Sequence, residues 1–338
     1  MAKPKVGLGS LRMDRQESAS LGRSEIRVSI KANSINARDI MAITGQSPLP
    51  LPDEIIPVSD GAGIVSEIGE DVRLFAPGDR VVIAFNPTHQ DGPFKPEMAL
   101  GALGEVCPGV LASEVILEES ALVKLPETVS FEQAACLPCV AVTAWNALFE
   151  LGSLLPGQTA MAVGTGSVAM TALQLAKTAG IRFGITSSDD SKIEEAKSLG
   201  ADFGVNYRSN PNWSEIVREA TGGMGANVIL ETAGPPSIAE SVRACAQNGR
   251  VMQIGLKAME GPPVQPLDLL VGGVSILPVM VGSRAVLERL VAAVAFNKIS
   301  FPIQSRFAFS KAPEAFASFL DPVGFGKTII SHETGDYQ

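Results

Sequence analysis

The run Gly164-Thr165-Gly166-Ser167-Val168-Ala169 has the residue types and spacing to hold a pyrophosphate. It fits G-x-G-x-x-G/A with alanine in the third place. The first glycine permits a tight turn, the second lets phosphate approach the backbone, and the third small residue lets helix and strand pack closely. The apolar run TAMAV before it predicts a strand, and VAMTALQLAKTAG after it predicts an amphipathic helix whose first N–H groups offer partial positive charge. In dinucleotide sites an acidic residue about 20 positions further on takes the ribose hydroxyls of NAD. Here the second strand ends Ile185-Thr186-Ser187-Ser188, with Asp189 and Asp190 only later and Lys192 beyond them. Hydroxyls with a lysine suit the 2′-phosphate of NADP, and Tyr207-Arg208 after the third strand adds a donor and a charge. The same Ser187–Ser191 stretch also reads as a helix cap, a task that suits Asp190. NADP is the expected cofactor.

Such a turn works only in a scaffold that presents it. From about Gln158 the chain alternates strand and helix: TAMAV, VAMTALQLAKTAG, RFGIT, SKIEEAKSLGA, FGVNY, WSEIVREATGG, NVILE, SIAESVRACAQNG and RVMQIG. That series predicts an α/β fold, a doubly wound parallel sheet of Rossmann type covered by helices on both faces. Residues 1–126 are β-rich instead, with the period-two run IRVSIKANSI and short branched runs closed by Gly, Pro or Asp. The expected domains are 1–126, 127–282 and a return of 283–338 to the first, through a helix (Ser283 to Asn297) and a strand (Lys327 to Ser331). The Gly- and Pro-rich segment from Asn86 to Pro108 reads as a lid or binding loop, with Phe85, His89, Phe94 and Met98 as pocket walls. LLVGGVSILPVMV (Leu269 to Val281) is too short to span a bilayer and reads as a turn followed by a buried strand.

Composition excludes several classes. The 338 residues are 46% apolar and carry a net charge of −9 without a long basic run, which argues for a soluble globular chain and against a nucleic-acid groove. The N-terminus lacks the apolar core of a secretory signal, and four cysteines are too few for a disulfide framework, so a reducing cytoplasm is expected. Cys136 and Cys139 have C-x-x-C spacing at the start of a predicted helix, with no second pair, and read as packing residues. His89 and His332 are the only histidines, so a nitrogen–sulfur zinc site is hard to assemble and no metal is expected.

DGAGIVSEIG (Asp60 to Gly69), FAPGDRV (Phe75 to Val81), LPCVAVTAWNALF (Leu137 to Phe149), GTGSVAMTALQLAKTAG, KSLGADFGVNYR and FGK (Phe325 to Lys327) together resemble the medium-chain dehydrogenase/reductase superfamily. The likeness is to its zinc-free branch, near the quinone oxidoreductases and enoyl reductases. It implies a GroES-like catalytic domain, a Rossmann domain, a small-molecule substrate, and homodimers or homotetramers joined through the Rossmann sheet. It also implies that Asn36 and Asp39 lie beside the nicotinamide, Asn36 donating to the substrate oxygen and Asp39 orienting backbone or Arg38. Both also read as turn or cap residues. Thr143, Ala233-Gly234, Ile254-Gly255-Leu256 and Val279 to Val281 would line the cofactor groove, and Lys327 would approach from the C-terminal strand.

Zinc-dependent members carry a cysteine ligand and a G-H-E motif where this chain has Asn36-Ala37-Arg38-Asp39 and Val58-Ser59-Asp60. Related reductases often place a tyrosine where Ala37 stands, and the family's first strand is missing from the N-terminus. The expected function is a zinc-independent, NADPH-dependent reductase of a conjugated enone, a quinone or an aldehyde. Its rivals are a redox-neutral biosynthetic enzyme catalysing an elimination, isomerisation or cyclisation on the same fold, and a binding protein without turnover.

Overall fold

Apolar and polar residues alternate along the first strand, β1 (Glu25–Ser34), so that Ile26, Val28, Ile30 and Ala32 are buried while Arg27, Ser29 and Lys31 are half-exposed. The computed structural model describes residues 1–4, 6–255, 258–320 and 325–332. They form two compact units, Met1–Val142 with Gly282–Gln338, and Thr143–Val281. In the first, β1 is followed by α1 (Ala37–Ile43), β2 (Asp60–Ile68), β3 (Arg80–Ile83), β4 (Glu114–Glu118), β5 (Leu122–Lys124) and α2 (Phe131–Ala135). Among the described residues no strand precedes β1. The N-terminal segment docks instead, with Ala2 and Ile55 exchanging backbone hydrogen bonds at 2.8 and 2.9 Å and Leu8 and Leu11 packed on the core. The segment Asn86 to Pro108 holds one 3-10 helix, Pro96–Gly101. Residues 127–142 belong to this unit, not to the next, because Gln133 is tied to the backbone of Phe301 by bonds of 3.0 and 2.8 Å.

A short helix α3 (Val142–Trp145), between π-helical turns Leu137–Ala141 and Asn146–Glu150, leads into the second unit. There β6 (Thr159–Ala162), α4 (Ser167–Thr178), β7 (Arg182–Ser187), α5 (Asp190–Ser198), β8 (Phe203–Asn206), α6 (Trp213–Ala220) and β9 (Ala226–Glu231) alternate as the sequence predicts. α7 (Ile238–Ala244), β10 (Cys245–Gln253), α8 (Pro266–Gly272) and β11 (Ser275–Pro278) complete it. All the pairings are parallel, in the order β11-β10-β9-β6-β7-β8. The winding reverses between β6 and β9, the point where open α/β sheets bind ligands.

Two details differ from the sequence reading. The helix expected through Gly249 ends at Ala244, because Cys245 is already extended (φ −65°, ψ 147°) and pairs with Ala226 of β9; Asn248, at a left-handed φ of 58°, lies at an irregularity inside β10. The strand after Gly273 is not buried: Ser275 and Pro278 are exposed and β11 pairs with β10 alone. Pro278, which lacks an N–H, suits such an edge. The chain then returns to the first unit through α9 (Arg284–Asn297), β12 (Ile303–Ala308), α10 (Ala312–Leu320) and β13 (Lys327–Ser331). β13 lies antiparallel to β1 and parallel to β12. No helix among the described residues is long and apolar enough to cross a membrane.

His332, just past β13, is buried against Phe309, with ring centroids 4.2 Å apart, and its Nε2–H donates to Asn33 Oδ1 at 2.7 Å. Burial, then the Lys31 charge, holds its pKa down at about 4. The unfolded chain therefore takes up this proton first, and stability is lost as pH falls from about 6.5 towards 4. Between pH 7 and pH 4 the parent should lose roughly 3 kcal/mol more stability than His332→Gln, which keeps a donor for Asn33. Denaturant titrations across that range check this, and parallel curves for the two proteins would contradict it.

Candidate active site and cofactor cradle

In the first unit, the end of β1, α1 and the start of β2 and β13 bring polar groups together inside an apolar core. Asn36 is the N-cap of α1, and its backbone N–H donates to Asp39 Oδ2 at 2.8 Å. The other oxygen, Asp39 Oδ1, lies 3.6 Å from the Arg38 guanidinium. Asp39 thus orients both backbone and Arg38. Arg38 also donates to Leu103 O at 2.6 Å, pairs with Glu105 and lies over the Phe85 ring, so it is fully committed. Burial pushes the Asp39 carboxyl up to about 6 against the pull of Arg38. Asp60, across from Ser34 in the β1–β2 register, accepts from Ser59 Oγ at 2.8 Å and from the Cys139 N–H at 3.4 Å. Burial pushes its carboxyl up too, opposed first by the Lys327 ammonium. Val58, two residues before it, holds a φ of 72° that β-branched residues rarely adopt, a strain concentrated beside this cluster. Lys327 Nζ donates to Ile35 O at 2.8 Å and to Asn36 Oδ1. Asn36 is 4% exposed, and its Nδ2 makes no hydrogen bond of good geometry, although the amide still acts on the nearby Asp60 carboxylate.

In the second unit, Gly164 sits at φ 95° after β6, its N–H on Thr186 Oγ1 at 3.1 Å. Thr232, after β9, donates to Val163 O, which ties the two strand ends together at the switch point. Gly166 is the N-cap of α4, with no side-chain cap, and Thr165, Ser167 and Val168 are half-exposed around it. A Cβ on Gly166 would meet nothing within 4 Å, so the space above the helix N-terminus is open. At the ends of β7 and β8, Ser187 is buried, Ser188 and Lys192 are half-exposed and Tyr207 is exposed, its N–H on Ser187 O at 3.0 Å. Asp189, not Asp190, caps α5, accepting from the Ser191 N–H at 2.8 Å, because its extended backbone precedes the first helical turn. Asp190 accepts from Asn206 Nδ2 at 2.9 Å. Thr143 and Val279 are buried, and Val281, at φ 52°, accepts from Asn146 Nδ2 at 2.7 Å. A Cβ on Gly255 would fall 2.0 Å from Thr232 O, so this position requires glycine. Leu256 lies outside the described residues.

Known proteins match both halves. The family of alcohol dehydrogenase GroES-like domains matches residues 22–127, and that of zinc-binding dehydrogenases matches residues 167–295. A zinc-type alcohol dehydrogenase-like protein of Schizosaccharomyces pombe is 35% identical over 92% of this chain and 91% of its own. The chain belongs to the medium-chain dehydrogenase/reductase superfamily. A quinone oxidoreductase-like protein 2 homolog of Nematostella vectensis is 28% identical over 94% of this chain and 84% of its own. A crystal structure from Sinorhizobium meliloti 1021, of a protein described as an alcohol dehydrogenase, superposes with a TM-score of 0.87 at 37% identity, covering 93% of both chains.

Members of the medium-chain dehydrogenase/reductase superfamily are oxidoreductases that bind nicotinamide cofactors, and the second unit fits one: a glycine turn at the switch point, an open helix N-terminus and no side chain over Gly166. Zinc, which some relatives' names carry, does not fit the first unit. The Asn36 carboxamide oxygen is taken by an ammonium, Asp39 is held by Arg38 and the Asn36 N–H, and burial pushes the Cys136 thiol up to about 12 and Cys139 upward as well. Among the described residues no group of three or more His, Cys, Asp or Glu side chains is placed to hold a metal ion. The two thiols lie in the α2 end and the π-helical turn after it, as packing residues.

Sequence reasoning missed Glu231. At the end of β9 its buried carboxylate accepts from the N–H groups of Ala233 and Gly234, both at 2.9 Å, and from the hydroxyls of Ser237 at 2.8 Å and Ser241 at 2.5 Å. Its carbonyl accepts from Ile254 and Gly255, so one residue anchors both loops expected along the cofactor groove. Only the Ser at 237 and 241 after Glu231 hinted at it, a spacing too common to single out. Glu231→Gln puts an amide nitrogen where an acceptor is needed. Hydrogen exchange at Ala233 and Gly234 should then quicken by about 10- to 100-fold, as expected for a lost charge-assisted bond. Unchanged exchange would show that the loop holds without the carboxylate.

Proposed function

We propose that this chain is a zinc-independent, NADPH-dependent reductase that transfers hydride to the β-carbon of a conjugated enone, with quinones and aldehydes as related acceptors. The observation that carries the reading is the buried Asn36 carboxamide, held at its oxygen by Lys327 and with Nδ2 making no hydrogen bond of good geometry. A buried donor without a partner is costly unless a ligand completes it. When bound, NADPH would supply a hydride, which carries two electrons, from the nicotinamide C4. Asn36 Nδ2–H donates to the oxygen on which enolate charge grows, and Asp39 keeps α1 and Arg38 in register. Water supplies the proton for the α-carbon, since Ala37 stands where related reductases carry a tyrosine. A simple alcohol oxidation, lacking zinc or tyrosine as electrophile, ranks lower.

The preference for NADPH rests on the ends of β7 and β8. Asp189 is engaged at the α5 cap and Asp190 with Asn206, so neither carboxylate is left for the ribose, while Ser188, Lys192, Tyr207 and Arg208 remain to meet a 2′-phosphate. Thr143, Gly164, Thr165, Gly166, Ser167, Val168, Ser187, Ala233, Gly234, Gly255, Leu256, Val279 and Val281 are the further groove residues in this reading. The exposed edge of β11, beside the exposed Leu267, Leu270 and Val271 of α8, supports a homodimer or homotetramer joined there. A reducing cytoplasm is the setting the reading assumes.

Fluorescence titration with NADPH and NADH tests it. NADPH should bind at least about tenfold more tightly, the worth of one charge-assisted phosphate contact. Equal affinities would remove the NADP assignment. Product formed without NADPH consumption would favour the redox-neutral alternative.

A further inference from the structure

Among the described residues, three buried side-chain polar atoms lack hydrogen-bond partners, and all lie between Ser34 and Asp39: Ser34 Oγ, Asn36 Nδ2 and Asp39 Oδ1. Lys327 stands in the same corner. It opens β13, is 1% exposed, and its ammonium is held by Ile35 O and Asn36 Oδ1. A buried ammonium must be paired, and its charge here acts on Asp60. The amide of Asn36 has only two planar orientations. Reversing it would set Nδ2 against the ammonium, donor to donor, so the lysine permits only one. We propose that Lys327 is a positioning residue: it locks the Asn36 carboxamide with Oδ1 inward and so presents Nδ2–H to the substrate oxygen. The positive charge that this acidic corner holds is then the protein's own and not a metal's. The inference rests on the reading of Asn36 as the donor in the proposed reaction, and it differs from the place in the cofactor groove that the sequence suggested for Lys327.

Two measurements on the full-length chain test it. In turnover with NADPH and cyclohexenone, Lys327→Met should lower kcat by about 10- to 100-fold, the effect of losing a hydrogen bond to a charged group. NADPH affinity should be unchanged, and Lys327→Met should have no further effect in an Asn36→Ala background. Additive losses, or a weakened NADPH affinity at constant kcat, would overturn the proposal. The second measurement needs neither turnover nor cofactor. In nitrogen-15 spectra, Lys327→Met should shift the Asn36 side-chain amide pair and speed its exchange, and Asn36→Ala should do the same to the Lys327 ammonium signal. Resonances that stay in place would overturn the proposal, and the Asn36→Ala spectrum decides if Lys327→Met does not fold. A parent that reduces no enone, with both resonances shifting as stated, would remove the reading of Asn36 while leaving the lysine's grip on its amide intact.

Discussion

Asn36→Ala should lower kcat for enone reduction by about 10²- to 10³-fold, the usual effect of removing one donor from an oxyanion site. The expectation follows from where the donor lies. Asn36 is buried, its oxygen is fixed by Lys327, and its backbone is fixed by the bond to Asp39, so Nδ2–H needs no reorganisation as charge develops. A preorganised donor in a site of low polarity is worth far more than the same amide in water. The loss should appear in kcat with NADPH affinity retained, because the interaction forms as the enolate forms. Asn36→Asp should be more harmful still, since a carboxylate would repel the growing negative charge. An increase in KM at constant kcat would instead mean that Asn36 only binds the ground state. Steady-state kinetics and a cofactor titration on each variant separate these results.

Gly166→Val should abolish cofactor binding without unfolding the protein. The backbone at Gly166 has a φ of −74°, open to any residue, and a Cβ there meets nothing within 4 Å. Folding should therefore tolerate the branched side chain. It would instead occupy the space above the α4 N-terminus, where on this reading a pyrophosphate would take backbone N–H bonds. Displacing phosphate from charge-assisted bonds of this kind should weaken NADPH by more than about 100-fold. The neighbouring glycine behaves differently. Gly164 has a φ of 95°, so alanine there strains the backbone by about 1–2 kcal/mol and lowers stability directly. Thermal unfolding beside fluorescence titration distinguishes the two. A Gly166→Val protein that binds NADPH normally would show that the turn is a relic of the fold.

The second unit was legible because its signal is periodic and local. Every strand but β11 buries a short apolar run, and the order of small residues after β6 points to the switch point. The places where the reading failed are those where local chemistry is set by a single residue. Cys245, extended and paired with Ala226, ends a helix that apolar spacing alone would have continued. β11 is apolar by composition, yet the sheet ends beside it, and nothing in a strand's own residues says whether a neighbour follows. The sequence offers Asp190 as a cap for α5, but two adjacent aspartates are equivalent until the backbone selects one, here Asp189.

The candidate site divides in the same way. Gly164, Gly166, Asn36 and Asp39 could be named because their spacing or their resemblance to a known family marks them. The closing FGK marks Lys327 too, but not its bond to Asn36, and Glu231 goes unnamed, because these contacts are made with partners far away in sequence or through several short bonds at once. Asn36 and Lys327 are joined by a hydrogen bond across nearly the whole chain, a pairing that only the β1–β13 register creates. The Glu231 carboxylate draws four donors from the turn and the helix that follow it, and no motif announces a segment folded around its own strand end.

The central claim is that a hydride passes from NADPH to an electrophilic carbon. Its most direct test is incubation of the protein with NADPH deuterated on the transferred side of C4 and a panel of enones, quinones and aldehydes, with mass spectrometry of the products. The account predicts one deuterium in the reduced product, on the β-carbon of an enone, with the α-hydrogen drawn from water. Product that carries no deuterium while the cofactor keeps its label would contradict it.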